Sequence, residues 1–382
     1  MLQYIKREKC PITDTNDYEV LSSKPYPLFA GCMDDANKDL DLVPIQEWVI
    51  FKESGVIALS KLIPLEILYK NGHDAGAIGD LWEEHHREFA KFIVKFSPNS
   101  ILEIGGGHGK LSLEVFKNTD INSKPKWTII EPNSTSKNEG VEYIDGFFGK
   151  QELIGEFDCI VHSHTFEHIY QPHSFLQDCC KSLVGGGYMI FTLPNMQKWL
   201  ENKWTNCLNF EHTIFLTEEV IEFLLAKNSF KILEKKYFKD HSVFYATQKV
   251  ENGNIKDIFL GNEFEKNKQM FKQMQKYYES AIDGLNQIFK ETSKNIYLFG
   301  AHLFSQYLLY NGLDSSKVVA ILDNNPNKQG KRLYGTNFRV YSPKILKDCD
   351  ISLVVLCAGA YNNEIKKDIL ENINNNVEIV CF

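Results

Sequence analysis

The sequence predicts an α/β protein with two open parallel sheets in series, each covered by helices, and a small β-rich unit ahead of both. Two observations predict the sheets. The short, nearly all-apolar runs "SILEIGG", "KWTIIEP", "FDCIVHSH" and "GGGYMIFTLP" alternate with amphipathic segments and are bounded by Gly, Asp or Pro, the pattern of strands buried on both faces. A second series of the same kind, "NIYLFGA", "VVAILDNNP", "ISLVVLCAGA" and "VEIVCF", follows nearer the C-terminus. A third observation, the stretch "ILEIGGGHGKLSLEVF", predicts a strand, a glycine turn and a helix whose N-terminal amides face a ligand.

Taken in order, residues 1–80 hold β-like runs such as "WVIFKESGVIALS" with turn residues between them. The segment "YKNGHDAGAIGDLW", Tyr69 to Trp82, sets Asn71, His73 and Asp74 among glycines and reads as a linker or as a lid over a polyhydroxylated substrate. A helix follows, with Leu81, Trp82, His85, Phe89, Phe92 and Ile93 on one face and Pro98 to stop it. It opens a domain over residues 81–250. In the connecting helix expected within 251–290, Phe264, Phe271, Tyr278 and Leu285 fall seven apart, with Met274, Ala281 and Ile288 between them. The stripe is short for a coiled coil and predicts a helix packed on both neighbouring domains. Residues 291–382 form the last domain.

Composition excludes several function classes. With 43% hydrophobic and 24% charged residues the chain belongs with soluble globular proteins. A net charge of −8 without a basic stripe argues against nucleic acid. No apolar leader and no long apolar run are present, so a cytoplasmic protein away from membranes is expected. Nine dispersed cysteines, an odd number without any CxxC, suit reduced thiols.

The glycine turn selects the cofactor. A dinucleotide fingerprint beginning at Gly105 would need its third glycine at Lys110, whereas the glycines stand at Gly105, Gly107 and Gly109. Glu103-x-Gly105-x-Gly107-x-Gly109 after a strand instead resembles the first motif of class I S-adenosylmethionine-dependent methyltransferases. That resemblance implies a Rossmann-like sheet binding S-adenosylmethionine, with Glu103 reaching the cofactor's amino end. It also places Glu131 of "IIEPN" on the ribose hydroxyls beside Pro132, Gly146 and Phe147 on the adenine side, and His164 flanking the cofactor.

The three-part layout resembles the bacterial sugar-nucleotide methyltransferases, best known for C-methylation of deoxysugars, over nearly the whole chain. In that family a four-cysteine zinc module stands at the N-terminus. Here Cys10-Pro11-Ile12-Thr13 keeps one cysteine and Phe51-Lys52-Glu53-Ser54-Gly55 none, so packing is expected to replace the metal. The family's Tyr-His-Glu-His segment becomes Asn209-Phe210-Glu211-His212. The resemblance makes His212 the general base, oriented by Glu211, with His168 as second choice, and the matching family segment makes residues 71–74 a lid. Asn209, placed with the substrate, stands where the family has Tyr. Loss of a group that supports an enolate favours O-methylation, which needs only a hydroxyl proton removed.

His162, His164, His168 and His173, with Glu167 and Asp158, invite a metal reading, but no compact ligand set emerges and no metal is expected. In the last domain Gly300-Ala301-His302 and Asp323 suit a pyrophosphate and nucleoside, as the family implies, unless this half is purely structural. The expected activity is methyl transfer to a hydroxyl of a nucleotide-linked sugar, for example a GDP-heptose in capsular or surface polysaccharide synthesis. The alternatives are C-methylation of a keto-deoxysugar nucleotide, and a non-catalytic sugar-binding protein on this fold. A homodimer stays open.

Overall fold

A computed structural model describes the chain except for residues 1, 35–36, 71–78, 121–122, 135–136, 152–154, 252–258, 350, 357, 359–361 and 382. The first part contains β1 (Ile5–Lys6), β2 (Tyr18–Pro25), β3 (Cys32–Met33), β4 (Ile45–Phe51), β5 (Ile57–Leu59), β6 (Lys61–Leu62) and α1 (Leu65–Leu68). β2, β4 and β5 form an antiparallel sheet, and β1 pairs with β6. Strand alternation sends the two faces of β4 into different cores. Trp48 and Ile50 pack with residues of the C-terminal half, while Val49 and Phe51 pack with the central domain. The unit is therefore a wedge between the other two parts.

The zinc-module positions meet without cysteine pairs. Cys10 Sγ lies 3.7 Å from Ser54 Oγ, and Ile12 and Val56 are buried beside them. Gly55, at φ +74°, passes so close to the connecting helix that a Cβ would sit 2.4 Å from the Glu263 carbonyl carbon.

The central domain runs α2 (Asp80–Val94), β7 (Ser100–Ile104), α3 (Lys110–Lys117), β8 (Lys126–Glu131), β9 (Val141–Asp145) and β10 (Phe157–Ser163). It continues through α4 (Pro172–Ser182), β11 (Leu183–Pro194), α5 (Met196–Glu201), α6 (Glu218–Lys227), β12 (Phe230–Phe238) and β13 (Ser242–Lys249). Sheet order is β12-β13-β11-β10-β7-β8-β9, with β13 antiparallel to both of its neighbours and the other pairs parallel. This is the class I Rossmann-like arrangement expected from the glycine motif. Strand order reverses between β7 and β10, which opens a crevice at their C-terminal ends. The β12–β13 hairpin has no counterpart among the strands read from the sequence.

Helix α7 (Phe264–Glu291) links the halves. Its buried residues are Asn267, Phe271, Met274, Tyr278, Ile282, Leu285 and Phe289. These steps of three and four follow a straight helix, so the predicted seven-residue stripe drifts: Ile282 and Phe289 replace Ala281 and Ile288 inside. The last domain holds β14 (Asn295–Phe299), α8 (Leu303–Tyr310), β15 (Val318–Leu322), β16 (Arg332–Leu333), β17 (Val340–Tyr341), β18 (Ser352–Leu356), α9 (Asn362–Asp368) and β19 (Glu378–Cys381). Its parallel sheet is ordered β17-β15-β14-β18-β19. β16 leaves that sheet to pair antiparallel with β3. Beside this joint Arg332, 2% exposed, grips Asp41 through two bonds of 2.6 and 3.0 Å. Among the described residues no helix is long and apolar enough to cross a membrane.

Candidate active site

The glycine turn leaves β7 at the point where strand order reverses. Gly105 adopts φ +80°, and a Cβ there would lie 2.7 Å from Thr165 Oγ1, so the turn packs directly on the segment after β10. Glu103 lies beneath the turn, 3% exposed, accepting the Trp127 indole N–H at 2.8 Å. Burial raises its carboxyl from 4.5 to about 7, against the Trp127 bond and with Glu131 adding repulsion. Glu131, half-buried at the end of β8, sets its carboxylate against Gly107, where a Cβ would sit 3.4 Å from the carboxyl carbon. Its Oε1 accepts the Asn133 amide at 3.0 Å, and Asn133 Nδ2 donates to the Tyr69 carbonyl at 3.1 Å. The Phe147 ring, next to Gly146, lies 6.3 Å from that of Tyr69. Thus Glu131 and Phe147, expected on the ribose and adenine side, border one crevice with Tyr69, which the sequence reading did not single out. Pro132 follows Glu131 in the same turn.

The second group stands beyond Tyr69. The Tyr69 hydroxyl lies 3.2 Å from His168 Nδ1. Glu211 Oε2 is 3.9 Å from the same nitrogen, and Glu167 Oε1 is 4.0 Å from His168 Nε2. The His212 ring lies 5.2 Å from His168 and 6.0 Å from Trp199. Burial, reinforced first by Glu211, keeps the Tyr69 phenol well above its usual pKa, so it is a neutral donor. His164, at φ +50°, turns aside: its Nε2 lies 2.9 Å from Ser242 Oγ and its Nδ1 3.5 Å from Glu167. Burial drops its pKa to about 3. A ring cluster of Trp82, His85 and His241 surrounds it.

The same geometry places the remaining sequence candidates. Asn209, expected with the substrate, uses its Oδ1 to accept the amides of Glu211 (2.8 Å) and His212 (2.7 Å), and its Nδ2 donates to the Asn206 carbonyl. It shapes the loop that presents His212. Glu211, expected to orient His212, also has its Oε2 within 3.9 Å of His168 Nδ1. A compact set does emerge, because Glu167, His168 and His212 offer donor atoms within 4.8 Å of one another. Two histidines and a carboxylate are a set that zinc accepts. His162 stays apart, stacked on Phe191, and His173 bonds the Ile12 carbonyl. Asn71, His73 and Asp74 lie outside the described residues. In the last domain Gly300, Ala301 and Asp323 do come together, yet the Ala301 amide, expected to meet a pyrophosphate, donates to Asp323 Oδ2 at 2.9 Å. His302 caps α8 beside them.

Comparison with known proteins fits this architecture. Residues 79–235 match the family model described as a methyltransferase domain, and residues 258–382 match that of the C-methyltransferase C-terminal domain. No curated protein matches the sequence. Similar solved structures include human N-acetylserotonin methyltransferase in complex with SAM, at 15% identity over 45% of this chain and 53% of that one, with a TM-score of 0.39. An O-methyltransferase family protein from Burkholderia thailandensis aligns at 10% identity over 45% and 57%, TM-score 0.37. The N-methyltransferase NodS from Bradyrhizobium japonicum WM9 aligns at 15% identity over 46% and 99%, TM-score 0.35. This chain spans about half the length of the first two. Residues 79–235 and 258–382 are thus similar, in series, to a methyltransferase domain and to the C-methyltransferase C-terminal domain.

Proposed function

We propose that the chain is an S-adenosylmethionine-dependent methyltransferase acting on a nucleotide-linked sugar. The observation that carries this reading is the meeting of Tyr69, Glu167, His168, Glu211 and His212 beside the crevice bordered by the glycine turn and Glu131. The glycine turn and Glu131 suit the cofactor: a side chain at position 107 would crowd the carboxylate that can accept two ribose hydroxyls. When bound, S-adenosylmethionine supplies a methyl group already activated on a sulfonium.

Carbon beside a ketone is the acceptor that the site supports best. There His212 takes the carbon-bound proton, and the Tyr69 phenol, kept protonated by burial, donates to the oxygen on which charge gathers. The lost tyrosine at 209 was the reason to prefer a hydroxyl, and Tyr69 supplies a phenol from another segment. The match of residues 258–382 to a C-methyltransferase domain supports the same choice. The second reading, a sugar hydroxyl such as that of a GDP-heptose, rests on Asn209 and Phe210 and needs only His212 as base.

Proton NMR of products made from methyl-labelled cofactor and a panel of nucleotide-linked keto-sugars, hexoses and heptoses tests both. A methyl on quaternary carbon, from keto-sugars alone, is expected. A methoxy signal selects the hydroxyl reading, and no product from any member of the panel sinks the sugar assignment.

A further inference from the structure

We propose that Arg7, in the N-terminal wedge, is a positioning residue for methyl transfer: its guanidinium ties together the two segments that carry His168 and His212. The inference rests on the catalytic assignment of those histidines. Arg7 is 7% exposed. Its Nη1 donates to the carbonyls of Leu59 (3.1 Å) and Thr213 (2.7 Å), and its Nη2 to that of Tyr170 (3.0 Å). Thr213 directly follows His212, and Tyr170 lies two residues after His168. One rigid fork therefore spans the wedge and both catalytic segments.

The surroundings give the fork its leverage. The Arg7 amide donates to the Ser60 carbonyl at 2.8 Å, fixing the residue at the end of the β1–β6 pair. Residues 213–215 lie along β5 as an added strand, with Leu59 N to Thr213 O at 3.0 Å, Phe215 N to Ile57 O at 2.9 Å and an Ala58–Ile214 bridge. Thr213 N donates to the Glu167 carbonyl at 2.9 Å, and the Tyr170 hydroxyl to the Ile63 carbonyl at 2.5 Å. The site is thus assembled on the edge of a sheet that belongs to another part of the chain.

A buried cation that meets three carbonyls and, among the described residues, no carboxylate is costly, and an apolar side chain would fill the space with less desolvation. No apolar side chain could join three carbonyls from three segments. Burial lowers the Arg7 pKa to about 10, so the group stays charged at neutral pH.

The test uses full-length Arg7→Gln and Arg7→Lys, with kcat and KM, calorimetric cofactor affinity, and hydrogen exchange at the amides of Thr213 and Phe215. For Arg7→Gln we expect kcat to fall at least about tenfold with cofactor affinity within about twofold, since misplacement of the base harms the chemical step and not cofactor binding. Exchange at Thr213 and Phe215 should quicken by about tenfold while amides of β7 and β10 keep their protection. Arg7→Lys, whose ammonium reaches some of the carbonyls, should recover part of kcat. An unchanged kcat, unaltered exchange at Thr213 and Phe215, or a parallel loss of cofactor affinity overturns the proposal. If Arg7→Gln does not fold, Arg7→Lys carries the same comparison. The exchange arm needs no acceptor, so it stands or falls separately from the sugar assignment.

Discussion

Where β7 and β8 end, the half-buried Glu131 carboxylate packs against the glycine turn, a Cβ at Gly107 lying 3.4 Å from its carboxyl carbon, and accepts the Asn133 amide at 3.0 Å. Where β14 and β15 end, Asp323 reaches back to the turn itself, accepting the Ala301 amide at 2.9 Å, with Lys328 Nζ 3.8 Å away. Both turns follow a parallel strand and precede a helix, the arrangement that offers amides to an anion. In the second the protein's own carboxylate is the anion. A strand-turn-helix pattern therefore brings a turn up to the acid at the end of the neighbouring strand, and in the last domain that acid takes a turn amide itself.

The largest effect that sharpens this contrast is expected from His212→Ala. Removing the base proposed for the first crevice should lower kcat on the order of 10²–10⁴-fold. Cofactor affinity by calorimetry should stay within about threefold. Full activity in this variant would move the base to His168.

Next in size is Glu103, the buried acid under the first turn. Its carboxyl is raised from 4.5 to about 7, so between those values the folded state holds more protons than the unfolded chain, and stability falls as pH rises. The loss approaches on the order of 3 kcal/mol above about pH 8. Glu103→Gln removes this titration. It should be more stable than the parent at about pH 8 and nearly equal to it at about pH 5 by denaturant unfolding. A stability gap that does not change with pH would mean that Glu103 is ionised at little cost.

The smallest and most direct comparison sets Glu131→Gln against Asp323→Asn. The first should weaken cofactor binding about tenfold, as loss of a charge-assisted acceptor does. The second should leave that affinity unchanged and lower stability by about 1 kcal/mol, read as a drop in Tm. A cofactor affinity that falls with Asp323→Asn would break the comparison.

Local chemistry was legible where the answer was local. Glycines at 105, 107 and 109 with Glu103 and Glu131 announced the turn and the crevice because strand, turn and acid are close in sequence. The β12–β13 hairpin escaped notice because Phe230–Phe238 breaks the apolar-polar alternation of a strand with the pair Ile232-Leu233 and the charged run Glu234-Lys235-Lys236, and no two-residue turn signal such as Asn-Gly marks it. Tyr69 and Arg7 were not legible as neighbours of Glu167, His168 and His212, since only tertiary packing brings such separated segments together. The loop-forming bonds of Asn209 to the amides two and three residues on follow a known habit of asparagine, one that the sequence offers at many positions and only the structure assigns here. The seven-residue stripe of α7 was likewise read one step too regularly, because the core follows the natural turn of the helix.

The pairing of Cys32–Met33 with Arg332–Leu333 also sets a schedule for synthesis. The wedge emerges from the ribosome early, but its partner strand is made almost 300 residues later. At roughly 5–20 residues per second, that delay is on the order of a quarter-minute to a minute. Through that interval Tyr26 and Phe29 of the wedge lack Tyr310 and Tyr334, whose rings lie 5.9 and 5.7 Å from theirs in the finished protein. The nascent chain thus carries an unfinished apolar face until translation is nearly over, and that interval is when chaperones matter most to its yield.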